Sequence, residues 1–298
     1  MRAEFGVRPE EARFAAGHVL FVEGSSDGID VTALRILLED TVRVEGLGPA
    51  SGIESAAMAL RAYHPTYYFL IDRDHRSRED VDQTWLGFPD PDASNRLIWR
   101  RRELENYFII PEYLARSQYI NCTSRRLHAA IRSVAEQRVY LDAANIVIIR
   151  AREELKRSWI SPLKPADGCA DYRTALNRLL QKPEFSKQVN NAASLLSPVP
   201  IQDSLRVTIR ELLGDKDEPQ WGEGNWLEQI SGKEVLNVVV DRCFRVEDAG
   251  GKPLQGKKKL MEVVKDLLRL PLKDQPDDFQ ELHRLIMRQV GLPGNTVA

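Results

Sequence analysis

His18-Val-Leu-Phe-Val-Glu-Gly24 and Tyr67-Tyr-Phe-Leu-Ile-Asp-Arg-Asp74 are the two stretches on which the fold turns. Each is a short β-branched and aromatic run that stops abruptly at acidic residues, the pattern of a buried strand entering a turn. From Asp27, placed as an N-cap whose carboxylate accepts first-turn amides, the spacing of Ile29, Leu34, Leu37 and Leu38 predicts a helix face. Thr41-Val-Arg-Val44 predicts a second strand, Gly46-Leu-Gly-Pro49 a turn, and Ile53 to Tyr63 an alanine-rich helix. Strand–helix units that feed a further strand need right-handed crossovers, so the expected sheet is mainly parallel and the fold α/β, Rossmann-like and doubly wound. Functional groups in such sheets gather at the carboxyl ends of strands. Glu23, Asp72 and Asp74 all fall there.

Further along, Arg76 to Asn95 reads as a polar, proline-bearing loop and Arg96 to Trp99 as a fourth strand, with Glu103-Leu-Glu-Asn-Tyr-Phe108 leading on toward Pro111. A sheet domain is therefore expected over 1–112, and a mostly helical region over 113–298 for nucleic-acid or partner binding or for oligomerisation. Helices are predicted at Arg125–Gln137, Asp142–Lys156, Tyr172–Leu180, Val207–Leu213, Lys233–Arg242 and Lys257–Leu268, with a loop at Gly214–Gly224.

Bulk properties set bounds on function. The 298 residues carry 42 basic and 44 acidic side chains, so a net charge of -2 exerts no global pull on polyanions and any nucleic-acid surface must be local. Cys122, Cys169 and Cys243 lie far apart in sequence and form no C-x-x-C pair, which argues against a disulfide framework or zinc ribbon. Met1 to Gly17 mixes charges with apolar residues and lacks the apolar core of a signal peptide, and no run resembles a membrane span. A soluble, cytoplasmic protein with no membrane partner is expected.

Three carboxylates at neighbouring strand ends repel one another unless a proton or a divalent cation lies among them. With no histidine or cysteine cluster nearby, Mg²⁺ or Mn²⁺ suits an oxygen-only set, and alternate residues Asp72 and Asp74 could face one ion with Glu23 as a further ligand or water-positioning base. Such a centre cleaves phosphodiesters by neutralising phosphate and activating water. Asp-x-Asp alone is more often a pair of solvated turn formers. Here the order of strand, Glu-Gly, helix, strand, helix, strand, Asp-x-Asp carries the inference.

In that order the residues resemble the TOPRIM domain of topoisomerases, primases and OLD-type nucleases, whose signature matches Leu20-Phe-Val-Glu-Gly24 with Asp27 and Phe69-Leu-Ile-Asp-Arg-Asp74. Glu103-Leu-Glu-Asn-Tyr107 is similar to the "Glu-Asn-Tyr" motif of standalone members that act as effectors of the PARIS antiphage system. The resemblance implies metal ligation by Asp72 and Asp74, a catalytic role for Glu23, an acidic contribution from Glu105 and a lysine supplied by Lys233. It also implies a nuclease acting on DNA or RNA, tRNA included, held in check by an ATPase partner and working as a homodimer.

Weaker signals have plainer readings beside them. Arg100, Arg101 and Arg102 could grip phosphates flanking a scissile bond or form a solvated face. Gly251 to Lys258 approaches a phosphate-binding loop, but Lys258 stands where serine or threonine would hold magnesium; a basic turn remains, with Lys257, Lys258 and Lys259 as candidate backbone contacts. Glu103 and Glu105 could merely charge a helix start, His75 is a candidate general acid or an ordinary loop histidine, and Trp159, Trp221 and Trp226 are candidates for base stacking or core. The alternative function is a non-catalytic binding or regulatory module on the same fold. A phosphotransferase using Asp72 as nucleophile is disfavoured, because Asp-x-Asp follows the third strand and not the first.

Overall fold

A computed structural model of the chain describes residues 17–60, 64–74, 76–90, 95–156 and 171–290. Its order is β1 (Val19–Val22), α1 (Ile29–Leu37), β2 (Arg43–Gly46), α2 (Ala50–Leu60), β3 (Tyr67–Ile71), α3 (Arg78–Gly87), β4 (Arg96–Ile98), α4 (Glu105–Phe108) and α5 (Pro111–Leu114). Helices follow: α6 (Ser124–Lys156), α7 (Tyr172–Leu180), α8 (Pro183–Leu196), α9 (Pro198–Leu213), α10 (Trp226–Gln229), α11 (Gly232–Cys243), α12 (Gly256–Leu268) and α13 (Asp277–Val290). The protein is thus α/β, with one parallel four-stranded sheet and a mostly helical remainder. Among the described residues no helix is long and apolar enough to cross a membrane.

The sheet runs β2-β1-β3-β4. Strand order therefore reverses direction between β1 and β3, and at such a switch point the two crossovers diverge and leave a crevice beyond the carboxyl ends. β1 is buried along its whole length and β3 along all but its first residue, as a parallel sheet covered on both faces requires. Gly24 closes the turn after β1 with φ of +93°, and its backbone exchanges hydrogen bonds with Gly48. A side chain is disfavoured in that left-handed conformation, so Glu-Gly is a geometric unit and not merely a sequence signature.

Several elements depart from expectation. Asp27 does not cap α1: Gly28 occupies that position, while the Asp27 carboxylate accepts from Ser25 Oγ at 2.6 Å. The loop expected after Arg76 contains α3, capped by Ser77 and anchored by buried Val81 and Trp85. The two helices expected over 125–156 are the single 33-residue α6, and α8 and α13 arise where none was predicted.

The division of the chain also differs from a boundary at 112. One compact unit contains the sheet and runs to Gln137, then resumes at Leu227; the other is Arg138–Trp226. Two features account for the return to the sheet unit. Asn106, fully buried, donates from Nδ2 to the carbonyls of Leu227 and Ile230, both at 3.0 Å, while Tyr107 Oη donates to Asp278 at 2.6 Å. Phe279 at the start of α13 then packs between Trp99, Tyr107 and Phe108. In the 138–226 unit, Tyr140 Oη donates to the Asp217 carbonyl and Trp226 is core, edge-on to Trp221. Trp159, His75 and Cys169 lie outside the described residues. Cys122 and Cys243, remote in sequence, sit side by side as free thiols, and burial with that neighbour pushes Cys243 up to about 11.

Candidate acidic active site

Glu23 and Asp72 end adjacent parallel strands, so the sheet's own register places them together. Glu23 Oε1 accepts a hydrogen bond from the Asp72 backbone N–H at 2.9 Å. Asp74 follows with φ of +50°, a conformation aspartate tolerates better than most residues, and its N–H donates to the Arg102 carbonyl at 3.2 Å. Arg76 clamps this turn, donating to the Asp72 carbonyl at 2.9 Å and pairing with Glu54 at 3.0 Å. The Asp74 carboxylate, 44% exposed, lies 3.9 Å from the same Arg76 guanidinium.

Electrostatics identifies the full cluster. Asp72 keeps some surface as a residue, yet its carboxyl group is packed round by protein. Burial raises its pKa well above the usual range, and the charges of Asp30, Glu23, Glu103 and Glu105 add to the rise. Glu23 is raised by burial and further by Asp74 and Asp30, against the lowering effect of its bond to the Asp72 amide. Burial and Glu103 push Asp30 up to about 6; burial, Asp30 and Glu103 push Glu105 up to about 8, with Lys233 opposing in both cases. Glu23, Asp72 and Glu105, expected from the sequence, are thus joined by Glu103 and Asp30, while Asp74 acts on Glu23 alone among them. Asp30 escaped sequence reading because an acid in the first turn of a helix is so readily explained by the helix dipole.

Glu103 has a structural task as well. Its Oε1 accepts from the Lys233 backbone N–H at 2.7 Å and from Ser231 Oγ at 3.2 Å, so it charges and caps α11 from across the chain and not its own helix. Gly232 lets this approach occur, since a Cβ there would meet the Asn106 backbone nitrogen at 2.5 Å. The Lys233 side chain is left exposed beside the acids, where its charge lowers both Asp30 and Glu105.

The basic residues are less free than expected. Arg100 pairs with Asp278 and lies 4.0 Å over the Trp85 ring, Arg101 stacks on Tyr107 at 5.5 Å, and Arg102 donates to the Gln229 carbonyl at 3.2 Å. All three are partly buried, Arg100 keeping 39% of its side chain exposed. Lys257 and Lys258 are exposed at the start of α12, Lys257 within the field of Asp27, whereas Lys259 is buried and donates to the Asp241 carbonyl at 2.9 Å. Lys259 is thereby removed from the candidate backbone contacts.

The donor type, carboxylates alone, suits a hard divalent cation, and burial and mutual repulsion raise the pKa of Glu23, Asp30, Asp72 and Glu105. Among the described residues no three His, Cys, Asp or Glu side chains are grouped so that together they could hold a metal ion. Magnesium, which retains several waters, can be held by one or two carboxylates together with substrate phosphate.

The raised values make a linkage prediction. Unfolded carboxylates lose their protons near pH 4, whereas folded Asp30 and Glu105 hold theirs to about 6 and about 8. Their contribution to stability is therefore present below the unfolded pKa and lost as pH rises through the folded values. A cation that replaces those protons restores it. The rise in melting temperature on adding Mg²⁺, relative to EDTA, should be larger at pH 8 than at pH 5.5, by about 2–4 °C for each kcal/mol of linkage. Scanning fluorimetry over that pH range checks this; an Mg²⁺ effect that is absent or independent of pH would refute it. Compared with known proteins, the chain matches no family model, no curated protein and no solved structure.

Proposed function

We propose that the chain is a TOPRIM-type nuclease that hydrolyses phosphodiester bonds in DNA or RNA with Mg²⁺ or Mn²⁺. The observation that carries the reading is the contact of Glu23 with the Asp72 amide at the β1/β3 switch point, which gathers acids from distant parts of the chain at one rim of the sheet. A divalent ion bound by Glu23, Asp72 and Asp74 would supply phosphate neutralisation and an activated water. The chain's own groups do the rest. Asp30 and Glu105 deepen the negative field that draws a cation in; Lys233 offers a counter-charge to an incoming phosphate; Glu103 fixes Lys233 by holding its backbone. Lys257 and Lys258, exposed at the start of α12, would contact a nucleic-acid backbone.

The test is cleavage of single- and double-stranded DNA, RNA and tRNA by purified protein with Mg²⁺ or Mn²⁺. Glu23→Gln is expected to remove cleavage while preserving the circular dichroism spectrum. A Glu23→Gln protein that cuts as fast as the parent refutes the reading. Calorimetry showing no divalent-ion binding at millimolar concentration replaces it with the non-catalytic module.

A further inference from the structure

Arg73 lies between Asp72 and Asp74 in sequence yet lines a separate cavity of about 400 Å³, within the range of small-ligand sites. The cavity is joined to the acidic cluster through the chain: Arg73 Nη1 donates to the Arg100 carbonyl at 2.8 Å, and the segment that carries Arg100 and Arg101 continues into Glu103 and Glu105. Arg78, Arg100 and Arg101 join Arg73 in the lining. Two of these guanidiniums lie over aromatic rings, Arg100 4.0 Å from the Trp85 centroid and Arg101 5.5 Å from that of Tyr107, which narrows the positions their charges can take. Arg101 Nη1 is buried and has no hydrogen-bond partner. A buried donor without an acceptor costs roughly 1–3 kcal/mol, and an anionic or carbonyl oxygen would relieve it. The lining also contains carboxylates. Asp278 is engaged by Arg100 and Tyr107, and Asp82, on α3, lies 3.7 Å from Arg78; Glu228 on α10 and Asp277 on α13 complete the acids of the lining.

We propose that this cavity binds one nucleotide unit, with the phosphate on Arg101 and Arg78, the base stacked on a guanidinium plane, and Asp82 or Glu228 accepting from an exocyclic amino group of the base. A pocket for phosphate alone would have no use for acids in its walls, whereas a nucleobase bearing both donors and acceptors matches mixed arginine and carboxylate groups. The nucleotide can be a residue of the substrate strand next to the cleaved bond or a free nucleotide. The first source rests on the nuclease reading; the site itself does not.

The experiment is calorimetric titration of the full chain, in EDTA, with AMP, GMP, CMP, UMP and inorganic phosphate, with tryptophan fluorescence as a second signal because Trp85 lies under Arg100. At least one monophosphate should bind with a dissociation constant below about 1 mM. Arg101→Gln and Arg78→Gln should each weaken it about tenfold, the loss of one charge-assisted contact. If Arg101→Gln fails to fold, Arg78→Gln decides, its side chain being 83% exposed. No saturable binding by about 10 mM, parental affinity in the folded variants, or inorganic phosphate binding as tightly as any nucleotide would each overturn the proposal. UMP binding as tightly as the amino-bearing nucleotides would overturn the role given to Asp82 and Glu228. A 5′-phosphorylated tetranucleotide binding at least about tenfold tighter than the mononucleotide assigns the source to the substrate strand, and equal affinity assigns it to a free nucleotide. Glu23→Gln should bind nucleotide as the parent does. A chain that binds but never cleaves keeps this site and loses the nuclease reading, and one that cleaves but does not bind does the reverse.

Discussion

Asp72→Asn is expected to raise the melting temperature of the metal-free protein by about 2–4 °C, the equivalent of about 1 kcal/mol, while abolishing metal-dependent cleavage. The two effects share one cause. Burial and four neighbouring acids hold the Asp72 pKa well above that of a free aspartate, so at neutral pH folding must either protonate the group or tolerate its repulsion. Asparagine removes that cost, and the bond from its backbone N–H to Glu23 Oε1 survives because no side-chain atom of residue 72 takes part. Cleavage should fall by at least about a hundredfold, since even groups outside a metal's direct ligands are worth roughly 10–100-fold. The stabilisation should vanish below about pH 3, where aspartate is protonated in both states, and the raised melting temperature should no longer respond to Mg²⁺. A variant that is destabilised at pH 8 and still cleaves would show that Asp72 is an ordinary turn former. Stabilisation coupled to lost activity is the signature of a site kept at a cost to the fold.

How much of this was legible in the sequence follows the range of the interactions. β1 and β3 are apolar runs whose ends are marked by the acids themselves, so the strand positions, the parallel sheet and the gathering of Glu23 with Asp72 could be read locally. α3 could not. Its ten residues are mostly charged or polar and only Val81 and Trp85 face inward, too few to reveal a period of 3.6. The break placed within 125–156 reflects polar interruptions that the continuous helix α6 tolerates. Asp30 and Glu103 were hidden for another reason: each has an adequate local explanation at a helix start, and only the fold shows which other acids they face. The boundary at 112 failed because the segments that complete the sheet unit lie more than a hundred residues downstream, joined by hydrogen bonds with no trace in local composition.

Asn106→Ala tests that long-range joint directly and should have the largest effect on stability. The Asn106 side chain donates to the Leu227 and Ile230 carbonyls and accepts from the Glu103 N–H at 3.2 Å, all in a position with no solvent exposure. Alanine strands two carbonyls and an amide, each worth roughly 1–3 kcal/mol when buried without a partner. Allowing for relaxation, the loss should be about 3 kcal/mol, or a fall of at least about 6 °C in melting temperature. Tyr107→Phe is the matched control: it deletes the hydroxyl's bond to Asp278, which Arg100 still engages, and a long 3.4 Å bond from the Arg101 N–H, and should cost about 1 kcal/mol. The damage should also be local before it is global. Amides of 227–243 should exchange faster in Asn106→Ala than those of β1 and β3, because the staple holds α10 and the start of α11 and not the sheet. Lys233 leaves its place with them, so cleavage at a temperature where the sheet is still folded should fall as well. Uniform acceleration of exchange across the sheet and α11, with cleavage unchanged, would mean that Asn106 supports the fold at large and that the return of the chain at Leu227 is held by other contacts.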